Sequence, residues 1–184
     1  MSGLRLLPPL LRRARRSRFW LGVLNRLLWR VVPFNRPHRI RIERLGETEV
    51  RTLAPYRRSS FNHLKGVHAC AIATVAEFSS GLLLLSRLDP RRYRLIMAHL
   101  EVDYLHQARS DIVAVTELSA DELEPRIVKP LESRETLFLT LPTAVSDRDG
   151  REVARARITW QIKAWSRVGT HRTGDASRTK GSET

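Results

Sequence analysis

The stretch LKGVHACAIATVAEFSSGLLLL, residues 64–85, decides how the rest of the chain must be arranged. It lacks the period-two alternation of a strand, and its alanine- and leucine-rich run predicts one long helix. That helix should end near Asp89-Pro90, because proline disfavours helical backbone in the residue before it. Apolar residues occupy nearly every side of it. A helix of this kind has no face for water and has to be enclosed by other elements.

What encloses it is legible on both sides. Upstream, Ile40 and Ile42 alternate with Arg39, Arg41 and Glu43, Leu45-Gly46 turns the chain, and a second short strand is expected over 47–53. Downstream, strand-like runs occupy 93–104, 111–118, 136–145 and 152–165. In the last run Ala154, Ala156, Ile158, Trp160, Ile162 and Ala164 fall on one face, and Arg155, Arg157, Thr159, Gln161 and Lys163 on the other. That is the pattern of an antiparallel strand covered on one side, and Asp149-Gly150 supplies the turn before it. A hairpin, a buried helix and about four antiparallel strands predict an α+β fold, an antiparallel β-sheet wrapped around a long central helix. Residues 119–134 read as a connector with a short helix, and 167–184 as a disordered polar tail.

The front of the chain has a different character. Lys and Arg number 33 against 19 Asp and Glu, a formal net charge of +14, and most of the excess lies in residues 1–44, where Glu43 is the one acid. Between Pro8-Pro9 and Pro33, Leu10, Leu11, Trp20, Leu21, Leu24, Leu27, Leu28, Val31 and Val32 recur at mostly three- and four-residue steps, which predicts an N-terminal amphipathic helix. Either that helix lies on an anionic membrane with Trp20 and Trp29 at headgroup level, or its apolar side covers the domain or a partner chain. Nucleic acid is not expected as a partner, because the tryptophans sit among leucines instead of forming a stacking platform among the arginines. The expected organisation is a basic amphipathic segment over 1–36, one domain over 37–166 and the tail. No stretch reaches the roughly 18 uncharged apolar residues of a membrane span. Cys70 is the single cysteine, which excludes an intrachain disulfide. A reducing, cytoplasmic setting with peripheral membrane contact is the expectation.

The densest group of special residues is Phe61-Asn62-His63-Leu64-Lys65-Gly66-Val67-His68-Ala69-Cys70, at the mouth of the long helix, followed by Glu77 within it. This resembles the signature of the hotdog-fold thioesterases, in which an Asn, then a Gly and a His-Gly-Gly step, lead into a helix bearing an Asp or Glu nine residues after that His. It is most similar to the branch that uses Glu, the 4-hydroxybenzoyl-CoA thioesterase and PaaI-like proteins. His68 and Glu77 keep the spacing and Asn62 stands six before His68, while Ala69 and Cys70 replace the two glycines. The resemblance implies a hotdog fold and a hydrolase acting on an acyl-CoA or acyl-carrier-protein thioester. It also implies no cofactor and a homodimer or tetramer.

The chemistry can be derived beside the resemblance. Thioester hydrolysis needs donors aimed at the carbonyl oxygen as it gains charge, and a group that activates water or attacks the carbonyl itself. Unpaired N–H groups at a helix N-terminus supply the first, with Ala69 N–H as the candidate donor. Glu77 supplies the second, as base or nucleophile; the competing role for it is a structural ion pair with one of the many arginines. Nine residues of helix turn through about 900° and rise about 13 Å, so His68 and Glu77 face opposite ways. Two chains related by a twofold axis can exchange them, which places the expected site at a dimer interface.

The remaining candidates surround these two. His68 either polarises the thioester or holds the loop, and Asn62 either caps the helix or shapes the loop. Gly66, Cys70 and Ser80 are expected to line the substrate, and Arg57, Arg58 and Lys65 to meet the phosphates of coenzyme A. His99, Glu101 and Asp103 share a strand face but read as a solvated surface, and no metal is expected. Gly-rich phosphate loops, nucleophile elbows and zinc-ligand patterns are missing from the sequence. The alternative function is a non-catalytic, membrane-associated hotdog protein that binds acyl thioesters or lipids, for which Ala69-Cys70 is the argument.

Overall fold

The computed structural model describes residues 7–167. Six strands, β1 (Arg41–Leu45), β2 (Glu49–Ala54), β3 (Tyr93–Tyr104), β4 (Ile112–Glu117), β5 (Thr136–Asp147) and β6 (Glu152–Ala164), form one sheet in the order β1-β2-β4-β5-β6-β3. Every pairing is antiparallel. Four helices complete the frame: α1 (Leu7–Arg16), α2 (Arg18–Val31), α3 (Asn35–His38) and the long α4 (Ala69–Arg87). The connector after β4 holds α5 (Ala120–Leu123), a π-helical turn (Glu124–Val128) and α6 (Lys129–Ser133), which bury Ile127 and Leu131 against the sheet. The α+β fold expected from residues 64–85 is the one formed.

α4 is long and apolar enough by length and composition to cross a membrane, with a mean hydropathy of 1.6, although Glu77 interrupts its uncharged run. Its surroundings give it another role. Val75, Ala76, Leu82, Leu83 and Leu84 are buried together with Ile112, Leu141 and Ile158 of the sheet. Polar groups on the helix are satisfied by the strands: Ser79 Oγ donates to Val50 O at 2.9 Å, and Thr52 Oγ1 donates to Val75 O at 2.8 Å. Buried hydroxyls cost free energy unless bonded, so these two bonds also fix how the helix is rotated against the sheet.

α4 starts five residues later than the apolar run predicts. Asn62 Oδ1 accepts the N–H groups of Leu64 and Gly66, at 3.0 and 2.9 Å, and Lys65 takes φ +58°. A left-handed residue inside a side-chain-closed turn cannot continue a helix. Phe61 and Val67 close the base of that loop as an isolated bridge.

The single amphipathic helix expected at the front is two helices, broken at Ser17, whose φ −145° and ψ 124° are extended. The break lets both halves bury their apolar sides: Leu7, Leu11 and Ala14 on α1, Leu24 and Leu28 on α2. Covering the domain is therefore what this apolar stripe does. Nor does Trp29 stand at headgroup level, because its Nε1 donates to Ile40 O at 2.6 Å. Trp20 is half-buried, with the Arg13 guanidinium 5.0 Å from its ring centroid. Asn25 completes the attachment, donating from Nδ2 to Ile42 O at 2.9 Å and accepting Ile42 N–H on Oδ1 at 2.8 Å.

The two edges of the sheet differ as a result. At β1, α2 satisfies outward-facing backbone groups. At β3 nothing among the described residues does so over a twelve-residue strand, where Ile96 and Met97 stand 44% and 41% exposed. The tail expected over 167–184 lies, beyond Arg167, outside the described residues.

Asn25→Ala would leave both backbone groups of Ile42 without their partner, at a cost of about 1–3 kcal/mol. For a chain of this size thermal unfolding should show Tm lowered by roughly 2–12 °C. An unchanged Tm would mean that α2 is not held on β1 in this way.

Candidate active site

Glu77 opens into a cleft of about 340 Å³ between α4, the β3–β6 pair and α2, walled by Leu28, Phe78, Gly81, Tyr93, Trp160 and Trp165. The helix places it there because Phe78, Ser79 and Ser80 turn into the core while Glu77 falls one turn before Gly81. Gly81 has a steric purpose. A Cβ at this position would stand 2.9 Å from the Trp160 ring and 3.8 Å from Glu77 Oε1, so the missing side chain lets the indole lie directly on the helix beside the carboxylate.

The indole is pinned in place. Trp160 Nε1 donates to Ser80 Oγ at 3.0 Å, and Ser80 Oγ donates to Glu77 O at 3.0 Å. Ser80 is fully buried, and its hydroxyl is engaged on both sides. The expectation that it contacts substrate or orients a water therefore gives way to a positioning role. At the far end of the cleft the chain leaves β6 in a 3₁₀ turn, Trp165–Arg167, and Trp165 Nε1 donates to Pro90 O at 3.0 Å.

In this chain of 33 Lys and Arg, the Glu77 carboxylate makes no ion pair and accepts no hydrogen bond among the described residues. Burial pushes its pKa up to about 7, and no neighbouring charge offsets the effect. The competing structural role, a salt bridge to an arginine, is not what the carboxylate adopts. Near neutral pH it exchanges a proton readily, which is what a general base or acid requires.

The other candidates gather at the mouth of α4. His68, with φ −65° and ψ 140°, is the N-cap residue, and its Nδ1 accepts Cys70 N–H at 3.0 Å. Of the two roles open to Asn62, it takes the loop and not the cap, its side chain accepting Leu64 and Gly66 N–H. Ala69 N–H has no acceptor among the described residues, while Tyr104 Oη donates to Ala69 O at 3.1 Å. His68, Ala69 and Cys70 are all exposed. Gly66 is buried beneath the Gln107 side chain, which a Cβ would approach to 2.7 Å, so it shapes the loop and does not line an open surface. Arg57 and Arg58 lie in the turn whose Ser60 O accepts His68 N–H at 2.8 Å, and Lys65 is held by Tyr56 Oη donating to its carbonyl at 2.5 Å. The backbone at these three positions thus flanks the mouth, and none of the three lines either hollow there.

Within one chain the mouth and the carboxylate stay apart. The hollow containing Ala69 is walled by Asn62, Tyr104 and Gln107, that containing His68 and Cys70 by Phe34, His38 and Phe61, and Glu77 borders neither. This is the separation that nine helical residues impose. On the far strand face Glu101 and Asp103 both pair with Arg157, as a solvated surface would. Sequence reading missed Leu28, Tyr93, Trp160 and Trp165 as walls of the cleft. A glycine one turn after the lone acid of an apolar helix was the signal that something large would lie there.

Residues 22–162 match the family model described as a domain of unknown function, DUF4442. No curated protein matches the chain. Among solved structures, it is 24% identical to a Pseudomonas aeruginosa protein of unknown function named a probable thioesterase, covering 78% of this chain and 95% of that one with a TM-score of 0.71. A Haemophilus influenzae thioesterase is 14% identical over 82% of this chain and 94% of its own, with a TM-score of 0.64. A mutant thioesterase from Pseudomonas aeruginosa is 18% identical over 71% and 86%, with a TM-score of 0.58. These likenesses show the hotdog fold.

A carboxyl that ionises near pH 7 when folded and near 4.3 when unfolded binds an extra proton in the folded state between those values. Its favourable contribution is full below pH 4.3, falls as pH rises and is gone above about 7. Glu77→Gln removes this loss. In denaturant titrations the variant should gain on wild type from pH 5 to about pH 7 and level off above it, by about 2–3 kcal/mol in total; a pH-independent difference would contradict the raised pKa.

Proposed function

The chain belongs to the DUF4442 family, and from the cleft that its hotdog scaffold builds we propose that it hydrolyses acyl thioesters with Glu77 as the base. The observation that carries this reading is the unpartnered carboxylate in a largely apolar cleft, which Arg94 also lines without pairing with it among the described residues, and whose burial pushes the Glu77 pKa up to about 7. A carboxylate kept for structure would be paired, and this protein has cations in excess. Hydrolases on related scaffolds support the same chemistry: proteins with this fold are named thioesterases in Haemophilus influenzae and Pseudomonas aeruginosa.

In the proposed step, ionised Glu77 takes a proton from water as the oxygen attacks the thioester carbonyl. The oxyanion accepts Ala69 N–H from the mouth of the neighbouring chain's α4, reinforced by the helix dipole. The C–S bond then breaks, and the leaving thiolate receives the proton from Glu77, giving a carboxylic acid and a free thiol. Apolar walls suit an acyl group, and Arg57, Arg58 and Lys65 suit the phosphates of coenzyme A or of a carrier-bound phosphopantetheine. The β3 edge, uncovered among the described residues and with Ile96 and Met97 exposed, supports the twofold pairing that would bring mouth and carboxylate together.

One observation favours the alternative of binding without turnover. His68 Nδ1 already holds Cys70 N–H, so Ala69 supplies the one free backbone donor in the first turn of α4 among the described residues. Thiol release from a panel of acyl-CoAs separates the two readings. Wild type should be active, with kcat/KM rising through an apparent pKa near 7, and Glu77→Gln should lose roughly 10²–10⁴-fold, the usual worth of a general base. Tight acyl-CoA binding with no thiol released would establish the binding module instead.

The dimer has its own test. Ile96→Asp sets a charge on the β3 edge, so sedimentation should show monomers and hydrolysis should fall in parallel; monomers with full activity would exclude a shared site.

A further inference from the structure

A second cleft, unused by the proposed chemistry, lies in the basic front of the molecule. It measures about 650 Å³ and opens between the C-terminal half of α1 and the β1–β2 turn, where Arg12, Arg13, Arg15, Arg16, Trp20 and Glu47 line it. None of its lining residues borders the Glu77 cleft. Arg12, Arg13 and Arg16 are exposed and form no ion pair among the described residues. Arg15 is held at the back, donating from Nη2 to Ser86 O at 3.1 Å, while its buried Nε has no acceptor.

Arginines in the last turn of a helix are favoured by its dipole, which explains one or two of them. It does not explain four turned toward one hollow, where Glu47 sets a single acid against them, since like charges three and four residues apart disfavour one another on a helix. An anion with several acceptor oxygens relieves that repulsion, and the planar guanidinium fork matches a phosphate with two parallel bonds. The helix that runs on from the hollow, where the Phe19 ring stands 5.5 Å from Trp20, indicates the source of that phosphate. Along α2, Phe19, Gly22, Arg26 and Arg30 form an exposed stripe at three- and four-residue steps, with Phe19 70% exposed. Aromatic rings set among unpaired arginines suit the boundary between headgroups and acyl chains, where cations meet phosphate and rings meet hydrocarbon.

We propose that the hollow formed by Arg12, Arg13, Arg15 and Arg16 takes the phosphate of an anionic lipid headgroup, docking the protein on a membrane by its arginine-rich front. The apolar stripe of α1 and α2 stays on the domain, so docking is peripheral and needs no unfolding of either helix. The inference does not rest on thioester hydrolysis.

Flotation of the full-length protein tests it. Protein should rise with vesicles of phosphatidylglycerol in phosphatidylcholine at physiological salt, and should stay down with pure phosphatidylcholine. A triple variant, Arg12→Ala, Arg13→Ala and Arg16→Ala, should partition at least tenfold less while keeping its Tm and its activity on a soluble acyl-CoA. Phe19→Ala should weaken binding further when added to it. Equal flotation of the triple variant would overturn the proposal. So would equal binding to vesicles made anionic by oleate, which lacks phosphate, or displacement of the protein from vesicles by equimolar duplex DNA.

Discussion

An ionisable group buried without a partner is the constraint on which this structure turns. Placing a carboxylate in an apolar cleft costs several kcal/mol unless it takes up a proton, and no arginine relieves Glu77 among the described residues. The cost is borne by packing elsewhere. α4 is held inside the sheet by buried leucines and by the hydroxyls of Thr52 and Ser79. Trp160 is fixed over Gly81 through Ser80, and Leu28 of α2 closes the outer side. Each contact excludes water from the carboxylate, and that exclusion is what holds its pKa near neutrality.

The two ends of the sheet divide the remaining work. One edge is finished within the chain, where Asn25 and Trp29 of α2 satisfy the backbone of Ile42 and Ile40. That attachment also carries Leu28 to the Glu77 cleft, so the helix that seals the sheet walls the site. The other edge, β3, is left with exposed apolar side chains. On the proposed mechanism, an edge left open among the described residues and a divided constellation belong together: one chain presents a buried carboxylate in one place and an amide-lined helix mouth in another, and a second copy would unite them.

Much of this was legible in residues 64–85 alone. An all-apolar helix forces an enclosing sheet, and the period-two runs around it identify the strands, because burial on one face writes itself directly into sequence. Glu77 was legible for the converse reason, as the lone acid in that helix. What could not be read came from contacts far apart in sequence. Ser80 reads as a surface for substrate until Trp160, eighty residues away, is seen to take its hydroxyl. Asn62 reads equally as a helix cap or a loop clasp until its own loop is seen to close on it, and His68 takes the cap. The break at Ser17 was hidden because both helices obey the same periodicity, and only the shape of the domain beneath them requires the bend.

The central claim is that Glu77 is half protonated near neutral pH in the folded protein. Its side-chain carboxyl can be followed directly by NMR on glutamate labelled with carbon-13 at the δ position, with Glu77→Gln identifying the resonance. The account predicts a midpoint near pH 7, well above those of the exposed glutamates. A midpoint near 4.3 would show a solvated or paired carboxylate, and the catalytic reading of the cleft would fail with it.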